Sequence, residues 1–294
     1  MTQSTTFHLQ TADVTLSALR AGPAAGEPRG VLVALHGGGM RAGYFDGGAT
    51  PSGSLLSLAA QGGWAALALD RPGYGASAAA LPDGATLGEQ ARLILAALRG
   101  YAAEYPVGQG FFLVGHSLGA KVALACAARH AGEEGAGSVP VLGMDINGIT
   151  HRLAVAPSAA NLSQCRRSLL RNWGPRGLYP PGSFRAAQAL AGPPPAREVA
   201  EAAGWPDAYR ALAPRVRTPV RLTLAEYERW WVCDADAVEA FAGQLVAAPV
   251  VCVARQRAAG HNISLSGAAH HHHFQVLAFA EECRLASLSG GTAA

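Results

Sequence analysis

Ser117 stands at the centre of Gly115-His116-Ser117-Leu118-Gly119, preceded by the unbroken apolar run Phe111-Phe112-Leu113-Val114 and followed by a helical pattern that opens with small residues. A G-x-S-x-G placed between a strand and a helix puts the serine on a sharp, strained turn. The flanking glycines remove the side chains that would collide there, and the hydroxyl is presented above the sheet edge. The helix N-terminus and the Leu118 amide can then stabilise negative charge developing on a carbonyl oxygen. A serine hydroxyl is a weak nucleophile near neutral pH until its proton has an acceptor, so this chemistry requires a histidine. Of the ten histidines, His261 has the right setting: Arg257-Ala258-Ala259-Gly260-His261-Asn262 follows the last apolar strand and precedes the terminal helix. His270 to His273 form a run that reads as the start of that helix, because a helical pattern continues from Phe274 to Leu288. His36-Gly37-Gly38-Gly39-Met40 is a glycine-rich turn after another apolar run, and no Gly-Lys-Ser/Thr follows to make it a phosphate loop.

The elements that must position these residues alternate apolar runs with helical patterns, the signature of a mostly parallel sheet with crossover helices. Buried strands are expected at Gly30 to His36, Trp64 to Asp70, Phe111 to Gly115, Val139 to Ile146, Val220 to Leu224 and Val250 to Ala254. Thr6 to Leu9 and Val14 to Leu19 predict an antiparallel hairpin on one edge. Helices fit residues 51–61, 86–104, 118–131, 234–247 and 270–287. The stretch from Thr150 to Pro214 breaks the rhythm with Trp173-Gly174-Pro175, Tyr179-Pro180-Pro181-Gly182 and Gly192-Pro193-Pro194-Pro195. An irregular segment that long inside a compact domain is usually functional, and here it reads as a cap. The chain therefore divides into core residues 1–149, a cap at 150–214 and core residues 215–294.

Taken together, these motifs resemble the α/β-hydrolase superfamily over nearly the whole chain. The resemblance implies a mostly parallel eight-stranded sheet flanked by helices, with an inserted helical cap. It implies that His36-Gly37-Gly38-Gly39-Met40 is the oxyanion loop, with Gly38 as the second donor beside Leu118 and Gly39 as the adjacent candidate. Leu69-Asp70-Arg71-Pro72-Gly73-Tyr74-Gly75-Ala76-Ser77 is similar to the family's D-x-P-G-x-G-x-S turn, which is structural, so Asp70 is not expected to be the catalytic acid. The acid is expected just after the strand that follows the cap. Counting along Thr218-Pro219-Val220-Arg221-Leu222-Thr223-Leu224-Ala225-Glu226-Tyr227-Glu228 selects Glu228, with Glu226 as the alternative. Asp234 and Asp236 open the next helix, where carboxylates commonly cap. The loop holding His261 resembles the family's G-x-G-H, with Ala258 in place of the first glycine. An elbow serine separates this chain from haloalkane dehalogenases and epoxide hydrolases of the same fold, which use aspartate there.

Composition narrows the classes further. Half of the 294 residues are hydrophobic, 15% are charged and the net charge is +3, which is a globular balance and gives no reason to expect a nucleic-acid partner. Lys121 is the only lysine. The five cysteines, Cys126, Cys165, Cys233, Cys252 and Cys283, have no metal-binding spacing, so reduced thiols are expected. No signal-peptide pattern opens the chain, and no run reaches the length of a membrane span, which predicts a cytoplasmic location. No metal or organic cofactor is implied. Between Ile146 and Arg197 there is no acidic residue but there are seven arginines: Arg152, Arg166, Arg167, Arg171, Arg176, Arg185 and Arg197. They suit either an anionic partner such as an acyl carrier protein or an ordinary solvated face.

The resulting expectation is a serine hydrolase acting on an ester or thioester. Ser117 attacks, His261 moves the proton, Glu228 orients His261, and Gly38 and Leu118 hold the oxyanion. Gly39, Met40, Tyr44, His116, Trp173, Trp230 and Trp231 are the expected substrate contacts, suited to a medium or bulky apolar acyl group. An acyltransferase, cyclase or lyase using the same triad, and a catalytically silent ligand-binding member of the fold, remain open on this sequence.

Overall fold

A computed structural model describes residues 3–47, 53–132, 140–155 and 170–290. Its frame is an eight-stranded sheet in the order β1-β2-β4-β3-β5-β6-β7-β8. The strands are β1 (Thr5–Gln10), β2 (Thr15–Ala21), β3 (Val31–Leu35), β4 (Ala65–Leu69), β5 (Phe111–His116), β6 (Val141–Asn147), β7 (Val220–Tyr227) and β8 (Val251–Gly260). β2 pairs antiparallel with both β1 and β4, and the pairs from β3 to β8 are parallel. The expected edge hairpin and the expected mostly parallel sheet are both present.

The central strands form because Val31-Leu32-Val33-Ala34-Leu35, Ala65-Ala66-Leu67-Ala68-Leu69 and Phe111 to Val114 are apolar on both faces, and every residue in them is buried. Parallel strands covered on both sides need that composition. One face carries α1 (Leu55–Gln61) and the long C-terminal α8 (Ala269–Gly290). There Leu55, Leu56, Val276, Phe279 and Ala280 pack with Leu32, Ala34 and Phe112. The other face carries α2 (Leu87–Glu104), α3 (Leu118–His130) and α7 (Ala235–Ala242), packed on Val31, Val33, Leu113 and Leu222. The start of α2 is fixed by a reciprocal capping box between Thr86 and Glu89.

Between β6 and β7 the described residues form three short helices, α4 (Ser183–Leu190), α5 (Ala196–Glu201) and α6 (Trp205–Leu212). Trp205 and Tyr209 of α6 are buried against the α3 side, with Tyr209 stacked on Phe241 at 4.2 Å. Cys165, Arg166 and Arg167 lie outside the described residues.

The last strand differs most from expectation. β8 does not end at Ala254 but runs on to Gly260, so His261 follows the strand directly instead of standing in a separate loop. The ladder continues because β8 carries extra residues: from the Ala225–Gln256 pair to the Tyr227–Gly260 pair, β7 advances two residues and β8 four. A bulge of this kind re-aims the residues that come after it in the strand.

Candidate active site

The reversal of strand order at β3 sets two loops side by side. β3 and β5 are parallel neighbours with Leu35 opposite Gly115, so the loop after β3 and the turn after β5 leave the sheet together. The turn is tight: Ser117 has φ 53° and ψ −116°, outside the usual regions for a residue with a side chain, and its amide donates to the Asn147 carbonyl at 2.8 Å. A backbone strained in this way costs about 1–3 kcal/mol and persists only where its surroundings hold it. The glycines explain how it fits. A Cβ at Gly119 would lie 2.0 Å from the Leu35 carbonyl oxygen, and one at Gly115 would lie 2.5 Å from the Ala120 Cα. The spacing seen in the sequence is thus a steric requirement of strand meeting helix.

In the neighbouring loop the Gly39 amide donates to Tyr74 Oη at 3.1 Å. That bond engages the alternative oxyanion donor. Gly38 packs against Leu118, where an added Cβ would stand 2.3 Å from the Leu118 Cδ1. The Tyr74 hydroxyl donates to Glu198 Oε2 at 2.7 Å, and Glu198 is held in turn by Arg71 and by Gln90 Nε2 at 3.1 Å. Arg71 Nε also donates to the His36 carbonyl at 2.7 Å. This buried network, unforeseen in the sequence, ties α5 to the loop that carries Gly38. Its charged pair is buried and hydrogen-bonded on several sides, the condition under which a buried ion pair is tolerated.

Glu228 and His261 meet through the β7–β8 register. Tyr227 lies opposite Gly260, so Glu228 and His261, each the next residue, leave the sheet as neighbours. His261 Nδ1 is 2.8 Å from Glu228 Oε2, and both side chains are almost fully buried. The other Glu228 oxygen accepts from the amides of Arg229 at 3.0 Å and Trp230 at 2.9 Å, so the carboxylate is fixed from both sides. Glu226, the alternative, turns elsewhere: its Oε2 accepts from the Ala258 amide at 2.7 Å. Ala258 has φ 55°, the left-handed conformation that a glycine takes without strain. Glu226 therefore clasps the bulge that brings His261 into register.

His36, His116 and His273 are packed instead. His116 Nδ1 donates to Asn147 Oδ1 at 2.7 Å, and the ring stacks on Tyr44 at 4.6 Å. Burial, then the nearby His261, depresses its pKa to about 3. His36 is held well below the usual histidine range by burial and by Arg71. Its Nε2 accepts from the Arg71 amide at 3.1 Å. In the terminal helix, His273 reaches the Gly53 carbonyl and Ser264 Oγ. Among the described residues no group of three His, Cys, Asp or Glu side chains could hold a metal ion.

One cavity of about 140 Å³ gathers Ser117, His261, Gly38, Gly39, Met40, Leu118, His116, Trp230 and Trp231. Two of the expected contacts lie off this cavity. Tyr44 is fully buried behind His116, and Trp173 packs with Tyr179 and Phe184; neither lines this cavity. The sequence reading missed Lys121, Asn172 and Glu198, all of which line it. Asn172 Oδ1 accepts from Trp230 Nε1 at 2.7 Å. Among the described arginines of this stretch, the side chain of Arg197 pairs with Glu89, that of Arg171 lies over Trp230 and that of Arg176 over Phe184.

Residues 32–282 match the model of the alpha/beta hydrolase family. The chain belongs to the α/β-hydrolase family. Among solved structures, this α/β hydrolase is similar to a thermostable carboxyl esterase from Bacillus coagulans, with 16% identity, 97% of this chain and 100% of that chain covered, and TM-score 0.68. It is similar to a 2-hydroxy-6-oxo-6-phenylhexa-2,4-dienoate hydrolase from Rhodococcus sp. strain RHA1, with 17% identity, 94% and 100% covered, and TM-score 0.64. A thermophilic esterase from Thermogutta terrifontis gives 17% identity, 95% and 98% covered, and TM-score 0.57. At these identities the likeness establishes the hydrolase's fold. Comparison with curated proteins by sequence found no match. No helix among the described residues is long and apolar enough to cross a membrane.

Proposed function

We propose that this α/β hydrolase is a serine esterase or thioesterase that works through an acyl-Ser117 intermediate. The observation that carries the reading is the buried 2.8 Å contact between His261 Nδ1 and Glu228 Oε2, with His261 and the strained Ser117 on one cavity wall. Such a contact selects the imidazole tautomer with hydrogen on Nδ1 and leaves the Nε2 lone pair free to take a proton.

Ser117 Oγ attacks the acyl carbonyl while its proton passes to His261 Nε2. The carbonyl electrons move onto oxygen, where the Gly38 and Leu118 amides receive them, and Glu228 stabilises the imidazolium. Collapse breaks the bond to the alcohol or thiol, which leaves with the proton from His261. Water then repeats the sequence on the acyl-serine and releases the acid. Residues 150–214 serve as the cap, since Leu153, Asn172, Val199 and Ala202 supply part of the cavity wall. The indoles of Trp230 and Trp231 and the side chain of Met40 suit an apolar acyl group.

A fluorophosphonate probe and a panel of p-nitrophenyl esters and acyl thioesters test this reading, with alcohols added to detect acyl transfer. Labelling confined to Ser117 and ester turnover abolished in Ser117→Ala are expected. A wild-type protein that is neither labelled nor active would overturn it. Transfer to the added alcohol at the expense of hydrolysis would move the reading to an acyltransferase.

A further inference from the structure

Lys121 lies one helical turn beyond Ser117 on α3, and it is the only lysine of the chain. It is 6% exposed and lines two adjoining cavities, the one holding Ser117 and a second of about 250 Å³ beside it. The ammonium lies over two indoles, 4.8 Å from the Trp205 ring centre and 5.4 Å from that of Trp231. Trp231 lines the first cavity and Trp205 the second, so the charge stands at their junction. No hydrogen bond or ion pair joins the Lys121 ammonium to another described residue. The charged groups nearest in effect are already engaged. Glu198 is paired with Arg71, and Glu201 accepts from the Leu87 amide at 2.8 Å at the start of α2. A buried ammonium normally has a counterion.

We infer that Lys121 is a specificity residue that receives a carboxylate at the far end of the acyl chain, so that the preferred substrates are esters of acids carrying a second, terminal carboxylate. The inference rests on the esterase reading above and names its substrate class. One ammonium between two indoles matches a monoanion at the end of an apolar chain. A phosphate would need several free donors around it; the wall supplies Leu118, Val122, Ala202 and tryptophan rings, while its polar members Arg71, Gln90 and Glu198 are bound to one another and Glu201 to the Leu87 amide. The anion takes the place of the missing partner, and the indoles hold the ammonium until it arrives.

Burial lowers the Lys121 pKa to about 7, against the raising influence of Glu198 and Glu201 and with the lowering influence of Arg71. Preference for the carboxylate substrate is therefore greatest below pH 7 and declines above it, as the ammonium loses its proton. Expressed as a ratio of two esters, this dependence is free of the protonation state of the triad.

The experiment compares kcat/KM for p-nitrophenyl hydrogen adipate and p-nitrophenyl hexanoate in wild type, Lys121→Met and Lys121→Arg between pH 6 and 9. The adipate half-ester is expected to lead by about tenfold or more at pH 6, the scale of a charged hydrogen bond. That lead should disappear in Lys121→Met and return in part in Lys121→Arg. Equal rates on both esters in wild type, or an unchanged ratio in Lys121→Met, would overturn the inference while leaving the esterase reading intact. A second arm needs no turnover. In Ser117→Ala grown with 13C-labelled lysine, the single lysine side-chain signal is titrated with and without adipate. An upward shift of its midpoint supports the carboxylate site even if no ester is cleaved, and an unmoved midpoint overturns it.

Discussion

The two halves of the candidate site are built from different materials. On the β3–β5 side the parts are backbone: a strained turn at Ser117, amides at Gly38 and Leu118, and glycines that let strand and helix touch. On the β7–β8 side the parts are side chains, with Glu228 gripping His261 and two amides while Glu226 grips a bulge. Backbone geometry is dictated over five residues, whereas a side-chain pair across two strands depends on a register set far along the chain. The first half should be sensitive to added atoms, and the second to the loss of a single charge or hydrogen bond.

Substitutions can sharpen that contrast. Ser117→Ala removes the proposed attacking oxygen and leaves the turn, so kcat should fall by at least ~10³-fold with the melting temperature nearly unchanged. Glu228→Gln keeps the shape but removes the charge and disfavours the useful tautomer; ester kinetics should show a kcat loss of about 10²–10⁴-fold. If that loss were only twofold, Glu228 would not be the orienting acid. Glu226→Gln weakens the clasp on Ala258, and we expect kcat to drop about tenfold from the displaced His261, equal to about 1.4 kcal/mol. A loss matching that of Glu228→Gln would reverse the assignment of the two glutamates. Tyr74→Phe takes the acceptor away from the Gly39 amide. Thermal denaturation should report about 1–3 kcal/mol of lost stability, with a modest fall in kcat and little change in KM.

The same contrast explains what the sequence made legible. Phe111 to Gly119 announced strand, elbow and helix because adjacent residues enforce that geometry, and the apolar runs announced the central strands for the same reason. His261 could be placed, yet its strand was cut short at Ala254. The bulge is invisible until Ala258 is seen in a left-handed conformation held by Glu226. Tyr44 was expected on the cavity wall because its position in the loop was right; its ring turned inward to stack on His116. Lys121, Asn172 and Glu198 had no sequence signal. Lys121 reads as one more helix position, and Glu198 becomes significant only beside Arg71, 127 residues away.

The enclosed contact between Arg71 and Glu198 bears on how a substrate gets in. If α5 swung away from the sheet it would strand a buried guanidinium, at a cost of about 3–5 kcal/mol. At equilibrium that keeps such an opened form below roughly one molecule in a hundred. Traffic to Ser117 should therefore not depend on movement of α5, which serves as a fixed wall of the cavity. The space offered to a substrate on that side would then be set by a wall that does not yield.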